Sequence, residues 1–198
     1  GLIIRRTMGE LRELIQRGKE LYPKFDPGTK WKGEEKLFLF PSGATIEFGY
    51  CDNQEDLERY RGQQYTWIGV DELTQFDNPD MVDILCASLR TTDKTLNTYF
   101  RATTNPTGRG TRWVKSRWVD MGEPGETIAV KSKVFDKEYT VTRKWFNSTI
   151  FDNPVLMEAD PLYVAKLANQ SNETLKRQWL YGEWVTEGVA FDEFNRRD

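Results

Sequence analysis

The segment "YTWIGVDELTQF", residues 65–76, decides the fold because it passes from an apolar run directly into two adjacent carboxylates. Trp67 to Val70 predict a short buried strand, which Asp71 and Glu72 close. Two neighbouring carboxylates repel each other and lose solvation when buried, so the pair needs a cation, a rim position or water. The ordinary alternative is a charged strand end at the rim of a sheet, and the rest of the sequence has to distinguish the two.

Strands and helices alternate on both sides of this segment. The patterns predict a strand at 2–4, a helix over 8–22, a hairpin in 36–50, helices over 53–62 and 79–90, a strand in 97–106 and one or two strands in 126–141. Asp160-Pro161 and Asn172 are predicted to cap two further helices. Strands that are separated by helices and end in polar residues are typical of parallel βαβ units. Such sheets carry their site beyond the carboxyl ends of the strands, where we expect Asp71, Glu72 and Asn105 to meet.

The composition restricts the chemistry that the chain can perform. Its 198 residues, 38% hydrophobic and 13% aromatic, indicate a globular protein with one sizeable core. The chain has no histidine and only two cysteines, which excludes Ser-His-Asp and Cys-His catalysis and the usual zinc sites. Because no apolar run approaches membrane-spanning length and no signal-peptide pattern is present, we expect a cytoplasmic protein without a membrane partner.

Phosphoryl transfer chemistry accounts for both acids of the pair. It requires Mg²⁺ on the phosphates and an oriented water in line with the leaving group. Asp71 is suited to hold the magnesium shell, and Glu72 to orient or deprotonate the water. Asn105 on the next strand is suited to donate a hydrogen bond to the γ-phosphate, although Asn105-Pro106 is also read as an ordinary turn.

A basic segment, "RATTNPTGRGTRWVKSRW" at 101–118, contains no acid although the whole chain has a formal charge of −3. The segment is predicted to face an anion. If that anion is DNA, its candidate contacts are Arg109, Arg112, Lys115 and Arg117. Trp113 and Trp118 stand five positions apart on the expected helix and should not share a face, so a stacking platform is disfavoured. The alternative is a solvated surface with the tryptophans turned inward.

Several stretches together resemble the large terminase subunit of tailed bacteriophages and prophages, over nearly the whole chain. They are "LIIRRTMGELREL", "FPSGATIEFGY", "ERYRGQQYTWIGVDELTQF", "ATTNPTG", "FDNPVL" and "LKRQWLYGEWVTEGVAFDEF", in the order of the family. The resemblance implies an α/β, RecA-like P-loop NTPase fold with a mainly parallel sheet. It also implies an ATP- and Mg²⁺-dependent motor that translocates double-stranded DNA into a prohead, in an infected or lysogenic bacterial host cell.

The resemblance also assigns roles to individual residues. The matching positions are Asp71 for the metal, Glu72 for catalysis, Thr103, Thr104 and Asn105 for coupling and nucleotide contact, and Arg61 in "RGQQY" as a finger toward a neighbouring subunit's ATP. Arg61 is alternatively a surface arginine beside a turn glycine, and Arg5 and Arg6 are expected only to flank a strand end. The implied partners are double-stranded DNA, the portal protein, the small terminase subunit and further copies of the chain in a ring.

The sequence departs from the family in one large respect, because no G-x-x-x-x-G-K-[ST] phosphate loop is present. We therefore expect the first strand and the loop to lie upstream, and the fragment alone to be inactive. The expected domains are an incomplete RecA-like core at 1–150, a helical subdomain at 151–184, and a junction to an RNase H-like nuclease domain at 185–198 that includes Asp192 and Glu193. Two alternatives remain open: another RecA-like DNA translocase or helicase, and a degenerate non-catalytic interaction domain.

Overall fold

A computed structural model describes residues 1–185, so the predicted junction with Asp192 and Glu193 lies outside the described residues. The chain forms two compact units, Gly1–Thr104 and a second unit that begins at Asn105. The domain boundaries expected at 150 and 184 stay predictions. No helix in the described part of the chain is long and apolar enough to cross a membrane.

The first unit is built on a six-stranded sheet with the order β2-β3-β4-β1-β5-β6. Its strands are β1 (Leu2–Arg5), β2 (Lys30–Lys32), β3 (Leu37–Leu39), β4 (Thr45–Tyr50), β5 (Trp67–Val70) and β6 (Tyr99–Ala102). β1 pairs in parallel with both β4 and β5, and β5 pairs in parallel with β6. β2 and β3 extend the sheet in antiparallel pairing. The predicted α/β fold with a mainly parallel sheet is confirmed.

Three helices and a short 3₁₀ turn flank this sheet. They are α1 (Leu11–Phe25), α2 (Gln54–Glu58), the turn Leu73–Gln75 and α3 (Asp80–Ala87). α1 begins three residues later than predicted, because the amide and hydroxyl of Thr7 both donate to Glu10 Oε2, at 2.9 Å each, and form a turn before the helix. α2 has a complete capping box between Asn53 and Asp56.

The core of the first unit forms where α1 packs on the β2-β3-β4 side of the sheet. Leu11, Phe38 and Phe48 are buried there, and Tyr22 contacts Phe38 edge to face with ring centroids 4.8 Å apart. Gly18 allows this close approach, because a Cβ at that position would lie 2.8 Å from the Phe38 ring. The helix is therefore seated directly on an aromatic layer.

Within the described residues, the second unit contains helices and a two-stranded hairpin. Its elements are α4 (Thr111–Trp118), a 3₁₀ turn at Val119–Met121, β7 (Ile128–Val134), β8 (Lys137–Arg143), a 3₁₀ turn at Ile150–Asp152, α5 (Pro154–Ala159), α6 (Tyr163–Ala168) and α7 (Glu173–Tyr181). α7 follows the predicted cap, since the Leu175 amide donates to Asn172 Oδ1 at 3.0 Å, and it ends at Gly182 with φ 63°. The expected cap at Asp160-Pro161 is wrong: α6 begins only at Tyr163, after a turn through Asp160 and Leu162.

We predict that Gly18→Ala destabilises the protein although alanine favours helices. The helix propensity gain is about 1 kcal/mol, whereas overpacking against Phe38 costs about 1–3 kcal/mol. Chemical denaturation should show a lower free energy of unfolding for the variant. Phe38→Leu is the matched control, because leucine lacks the ring atoms Cε2 and Cζ that a Cβ at Gly18 would meet. Gly18→Ala should cost less in the Phe38→Leu background, and an equal cost in both backgrounds would contradict the packing explanation.

Candidate active site

Asp71 lies at the carboxyl end of β5 and is held by side chains from both neighbouring strands. Arg5 Nε is 2.7 Å from Asp71 Oδ2, and the Thr103 hydroxyl donates to Asp71 Oδ1. The Asp71 amide donates to the Ile4 carbonyl at 2.9 Å, which continues the β1–β5 pairing to the end of the strand. Each carboxylate oxygen accepts about two hydrogen bonds, so Asp71 keeps capacity for a metal-bound water beside these contacts.

Glu72 is a non-glycine residue in the left-handed conformation, with φ 57° and ψ 54°. This conformation costs an ordinary residue about 1–2 kcal/mol, so the surrounding structure has to impose it. The next two residues supply the constraint, because Leu73 is 2% and Thr74 0% exposed, and the Leu73 amide donates to the Thr103 carbonyl at 3.0 Å. The backbone conformation therefore fixes the position of the Glu72 Cα and the direction of its half-buried side chain, directly after Asp71.

Thr103 and Thr104 connect the end of β6 to the end of β5. The Thr74 amide donates to Thr104 Oγ1 at 3.1 Å, and the two threonine hydroxyls are 2.6 Å apart. Together with the Thr103 hydroxyl on Asp71, these contacts bring the acidic pair and the two threonines to one edge of the sheet. Asn105 begins the second unit, so its position near the acids and the nucleotide contacts of Thr104 and Asn105 stay predictions.

Arg5 is the residue of this site that the sequence did not reveal, since it was expected only to flank the strand end. Its position follows from the register, in which Ile4 is paired with Val70, so that Arg5 and Asp71 are the next residues on adjacent parallel strands. Arg6 turns to other partners, with its Nε 3.2 Å from Asp52 Oδ1 and its guanidinium donating to the Gln75 carbonyl at 3.2 Å.

A small cavity of about 150 Å³ lies where β1 and β4 end, and its lining includes Arg6, Cys51, Asp52 and Gln75 but neither Asp71 nor Glu72. Small-molecule sites usually occupy about 300–1,000 Å³, so this cavity alone is too small for a nucleotide. Burial raises the pKa of the Cys51 thiol to about 12, which keeps it protonated and unreactive at neutral pH.

The donor set at this edge fits magnesium. No group of three or more potential metal-binding acids, cysteines or histidines occurs among residues 1–185. Mg²⁺ is usually held by one or two carboxylates together with waters and substrate phosphates, and Asp71 and Glu72 match that number. The two carboxylates thus fit a magnesium ion, and their roles toward metal and water stay predictions.

Arg61 lies at the opposite end of β5 from the acidic pair. It follows α2, where the Ser88 hydroxyl at the end of α3 donates to the Tyr60 carbonyl at 2.9 Å. Arg61 Nε is 3.0 Å from Glu58 Oε1, and both side chains are more than half exposed. Arg61 also lines an open cavity of about 470 Å³ with Asp83 and Arg90. The structure therefore does not bring Arg61 to Asp71 or Glu72 of its own chain.

Some basic side chains of the segment 101–118 already contact other residues of the second unit. On α4, Lys115 is paired with Asp120, and the half-buried Arg117 guanidinium lies 5.3 Å from the centroid of the Trp118 ring. Arg109 and Arg112 are exposed. The Trp113 and Trp118 rings are in contact, with centroids 6.0 Å apart; both lie in α4, and the backbone departs from helical geometry at Trp118, which has φ −128°. The expectation that these tryptophans would not share a surface is wrong, and the DNA role of the four basic residues stays a prediction.

The mainly parallel sheet, with Asp-Glu and a threonine pair at its carboxyl edge, is an α/β fold of the RecA-like type. The family model "Terminase large subunit, T4likevirus-type, N-terminal" matches residues 2–197, and the chain belongs to this family. No curated protein matches the chain by sequence.

Solved structures share the fold at low sequence identity. The large terminase of a thermophilic bacteriophage, in its crystal form 2, is 16% identical with a TM-score of 0.65, over 98% of this chain and 43% of that one. The same terminase in complex with ADP is 15% identical with a TM-score of 0.61, over 93% and 40% of the two chains. The ATPase domain of the Thermus phage P74-26 large terminase is 15% identical with a TM-score of 0.57, over 93% and 76%. The chain thus spans less than half of the first of these terminases.

We predict that Glu72→Gly is more stable than Glu72→Ala. Both variants remove the same carboxylate, but only glycine adopts the left-handed conformation without a steric penalty, so we expect a difference of about 1 kcal/mol in the free energy of unfolding. Thermal unfolding of the two variants side by side measures it. An alanine variant as stable as the glycine variant would show that Glu72 is not strained.

Proposed function

We propose that this chain is the ATPase motor portion of a phage large terminase and couples ATP hydrolysis to translocation of double-stranded DNA into a prohead. The observation that carries the proposal is the cluster of Asp71, Glu72 and Thr103 at the carboxyl edge of the sheet. Family membership supports the ATPase activity. The complex of the thermophilic phage terminase with ADP supports nucleotide binding.

Asp71 is the residue proposed to hold Mg²⁺, through a bound water. Arg5 and Thr103 fix the direction of its carboxylate, so that the metal meets an oriented ligand. When bound, Mg²⁺ neutralises charge on the phosphates of ATP. The hard oxygen donors of this edge match that ion.

Glu72 is the proposed general base. Its carboxylate follows the metal ligand directly, and its backbone is fixed by the buried turn at Leu73 and Thr74. A carboxylate in that place accepts the proton of the attacking water and holds the water in line. One acid thus serves the metal and the other the nucleophile.

The threonine pair is the proposed route from hydrolysis to movement. Thr103 contacts Asp71, Thr104 contacts Thr74, and the chain then continues through Asn105 into the second unit. A movement of the Asp71 carboxylate would therefore also move Thr103, and through Thr104 and Asn105 the start of the second unit. The proposed partners in this cycle are double-stranded DNA, the portal protein, the small terminase subunit and copies of the chain in a ring. Nuclease activity is proposed to lie C-terminal to this chain.

We predict that Glu72→Gln in the intact gene product lowers the ATP hydrolysis rate at least about 100-fold and leaves nucleotide affinity nearly unchanged. Asp71→Asn should weaken the magnesium-nucleotide complex itself. Steady-state hydrolysis and binding of a fluorescent ATP analogue, each with and without Mg²⁺, separate the two effects. Asp80→Asn, which removes an exposed acid in the first turn of α3, is the matched control and should hydrolyse normally.

The outcome distinguishes the motor from its alternatives. Loss of turnover in Glu72→Gln, with turnover kept in Asp80→Asn, supports the assignment of Glu72. If the unmutated intact gene product shows no hydrolysis at concentrations that permit ring assembly, the chain is a non-catalytic interaction domain. If hydrolysis occurs but DNA enters no prohead, another DNA translocase function is favoured.

Arg61 is predicted to act on the site of a neighbouring subunit, since it lies at the far end of β5 from its own acids. Arg61→Ala should then lower hydrolysis by about 10³-fold or more, as loss of an arginine finger does. Mixing Arg61→Ala with Glu72→Gln should restore part of the activity, because mixed rings contain some intact sites. Glu58→Ala, which removes only the ion-pair partner of Arg61, is the control. No recovery on mixing would contradict action between subunits.

A further inference from the structure

The β7–β8 hairpin is an exposed two-stranded ribbon with a charge opposite to that of the whole chain. Every residue from 131 to 142 is exposed. Residues 128–144 contain five basic and two acidic side chains, whereas the complete sequence has a formal charge of −3. An exposed ribbon with a locally positive field attracts a polyanion even when the whole protein is acidic.

The two faces of the ribbon differ in chemistry. The register pairs Lys131 with Thr140 and Ala129 with Thr142, which places lysines and threonine hydroxyls on one side. We call this side the lysine face; it comprises Ala129, Lys131, Lys133, Glu138, Thr140 and Thr142. Its one acid, Glu138, lies 3.0 Å from Lys131 in a well-exposed pair, which contributes little and leaves the lysines accessible.

The tip of the ribbon carries an aromatic side chain at an unfavourable position. Phe135 is 93% exposed and has φ 53°, at the first position of a two-residue turn. Glycine, asparagine or aspartate is usual at such positions, because bulky residues are strained there. An aromatic residue that is both strained and solvated gains nothing from the hairpin itself. A ligand contact at the tip would account for it.

The base of the ribbon is anchored within the second unit. The Arg143 guanidinium donates to the Arg117 carbonyl at 3.3 Å and lies 6.0 Å from the centroid of the Trp118 ring. Trp145, just after β8, donates its indole N–H to the Gly122 carbonyl at 2.8 Å. The ribbon is thus held at its base and exposed along its remaining length, as an element that reaches toward a partner must be.

We propose that the β7–β8 ribbon binds double-stranded DNA, with the lysine face on the phosphates and Phe135 entering a groove. This inference deepens the proposed motor function and rests on it. Seven residues per strand span about 24 Å, at roughly 3.4 Å per residue, and a two-stranded ribbon fits the major groove of B-DNA. Phosphate contact of this kind is independent of sequence, which suits a translocating enzyme.

The ribbon is better placed for this role than α4. On α4, Lys115 is paired with Asp120 and Arg117 lies against the Trp118 ring. The side chain of Lys133, by contrast, is exposed on the ribbon. The opposite face of the ribbon includes the exposed side chains of Tyr139 and Val141, which a second copy of the chain could cover instead. The charge of the ribbon favours DNA, and self-association is an outcome that the test detects.

The test measures binding of the 198-residue chain to a fluorescent duplex of about 30 base pairs over a series of salt concentrations. The double variant Lys131→Ala/Lys133→Ala should bind at least about 10-fold more weakly, and its salt slope should fall by roughly 2, since each phosphate contact contributes about 0.9. Lys30→Ala/Lys32→Ala is the matched control, because it removes two exposed lysines with the same spacing from edge strand β2. The control should change neither affinity nor slope.

Phe135→Gly separates contact with DNA from a structural role. Glycine accepts the positive φ, so the midpoint of thermal unfolding should stay unchanged or rise, while DNA affinity falls. A merely structural Phe135 would instead lose stability and affinity together. Equal DNA binding by the ribbon variants and the unmutated chain would overturn the proposal, as would lysine variants that lose only self-association in sedimentation.

ATP hydrolysis by the intact gene product, without DNA, separates this proposal from the proposed function. Lys131→Ala/Lys133→Ala should keep that basal hydrolysis, whereas Glu72→Gln should lose it. The protein could keep its basal hydrolysis while the ribbon variants bind DNA as tightly as the unmutated chain. That result would overturn the proposal that the ribbon binds DNA and leave the proposed ATPase function standing. If the unmutated chain binds no duplex at any salt concentration, the proposal that the ribbon binds DNA is overturned, whatever the hydrolysis measurement shows.

Discussion

The parallel pairing of β1 with both β4 and β5 is the constraint on which the candidate site depends. β1 has only four residues, and its Leu2 and Ile4 side chains are completely buried. Because Ile4 is paired with Val70, Arg5 and Asp71 leave the sheet side by side and form their ion pair. A slip of one residue would turn the buried side chains to the other face and separate the pair. Core packing and site electrostatics therefore select the same register.

Stability and chemistry make opposite demands immediately after that pair. A chain selected only for stability would place glycine or asparagine where Glu72 adopts a left-handed conformation. The buried Leu73 and Thr74, together with the hydroxyl contact between Thr74 and Thr104, hold the turn against this cost. As a consequence, the Glu72 side chain extends from a fixed backbone position next to Asp71, the proposed metal ligand. Such preorganisation is what a general base requires, because no free energy is then needed to position it during reaction.

Local patterns were enough to predict part of this molecule. The strand into Asp71, the cap at Asn172 and the alternating elements follow from short-range periodicity and capping, which act within a few residues. Arg5 could not be assigned to the site from sequence, because its partner is 66 positions away and only the strand register joins them. The contact between Trp113 and Trp118 was missed for a different reason: the pattern assumed helical geometry at Trp118, whose φ is −128°.

Charge distribution carries more information about partners here than net charge. A formal charge of −3 argues against a general nucleic-acid coat, and a scan for basic runs selects the segment at 101–118. Folding reverses that ranking, because a basic side chain that contacts its own protein has less of its field available to a partner. Lys115 is paired with Asp120 and its side chain is only 33% exposed, whereas Lys131, although paired with Glu138, is 64% exposed, and Lys133 is exposed on the same strand. The alternation of these lysines along the strand hides them from a search for charge runs, and only the pairing of β7 with β8 places them on one face.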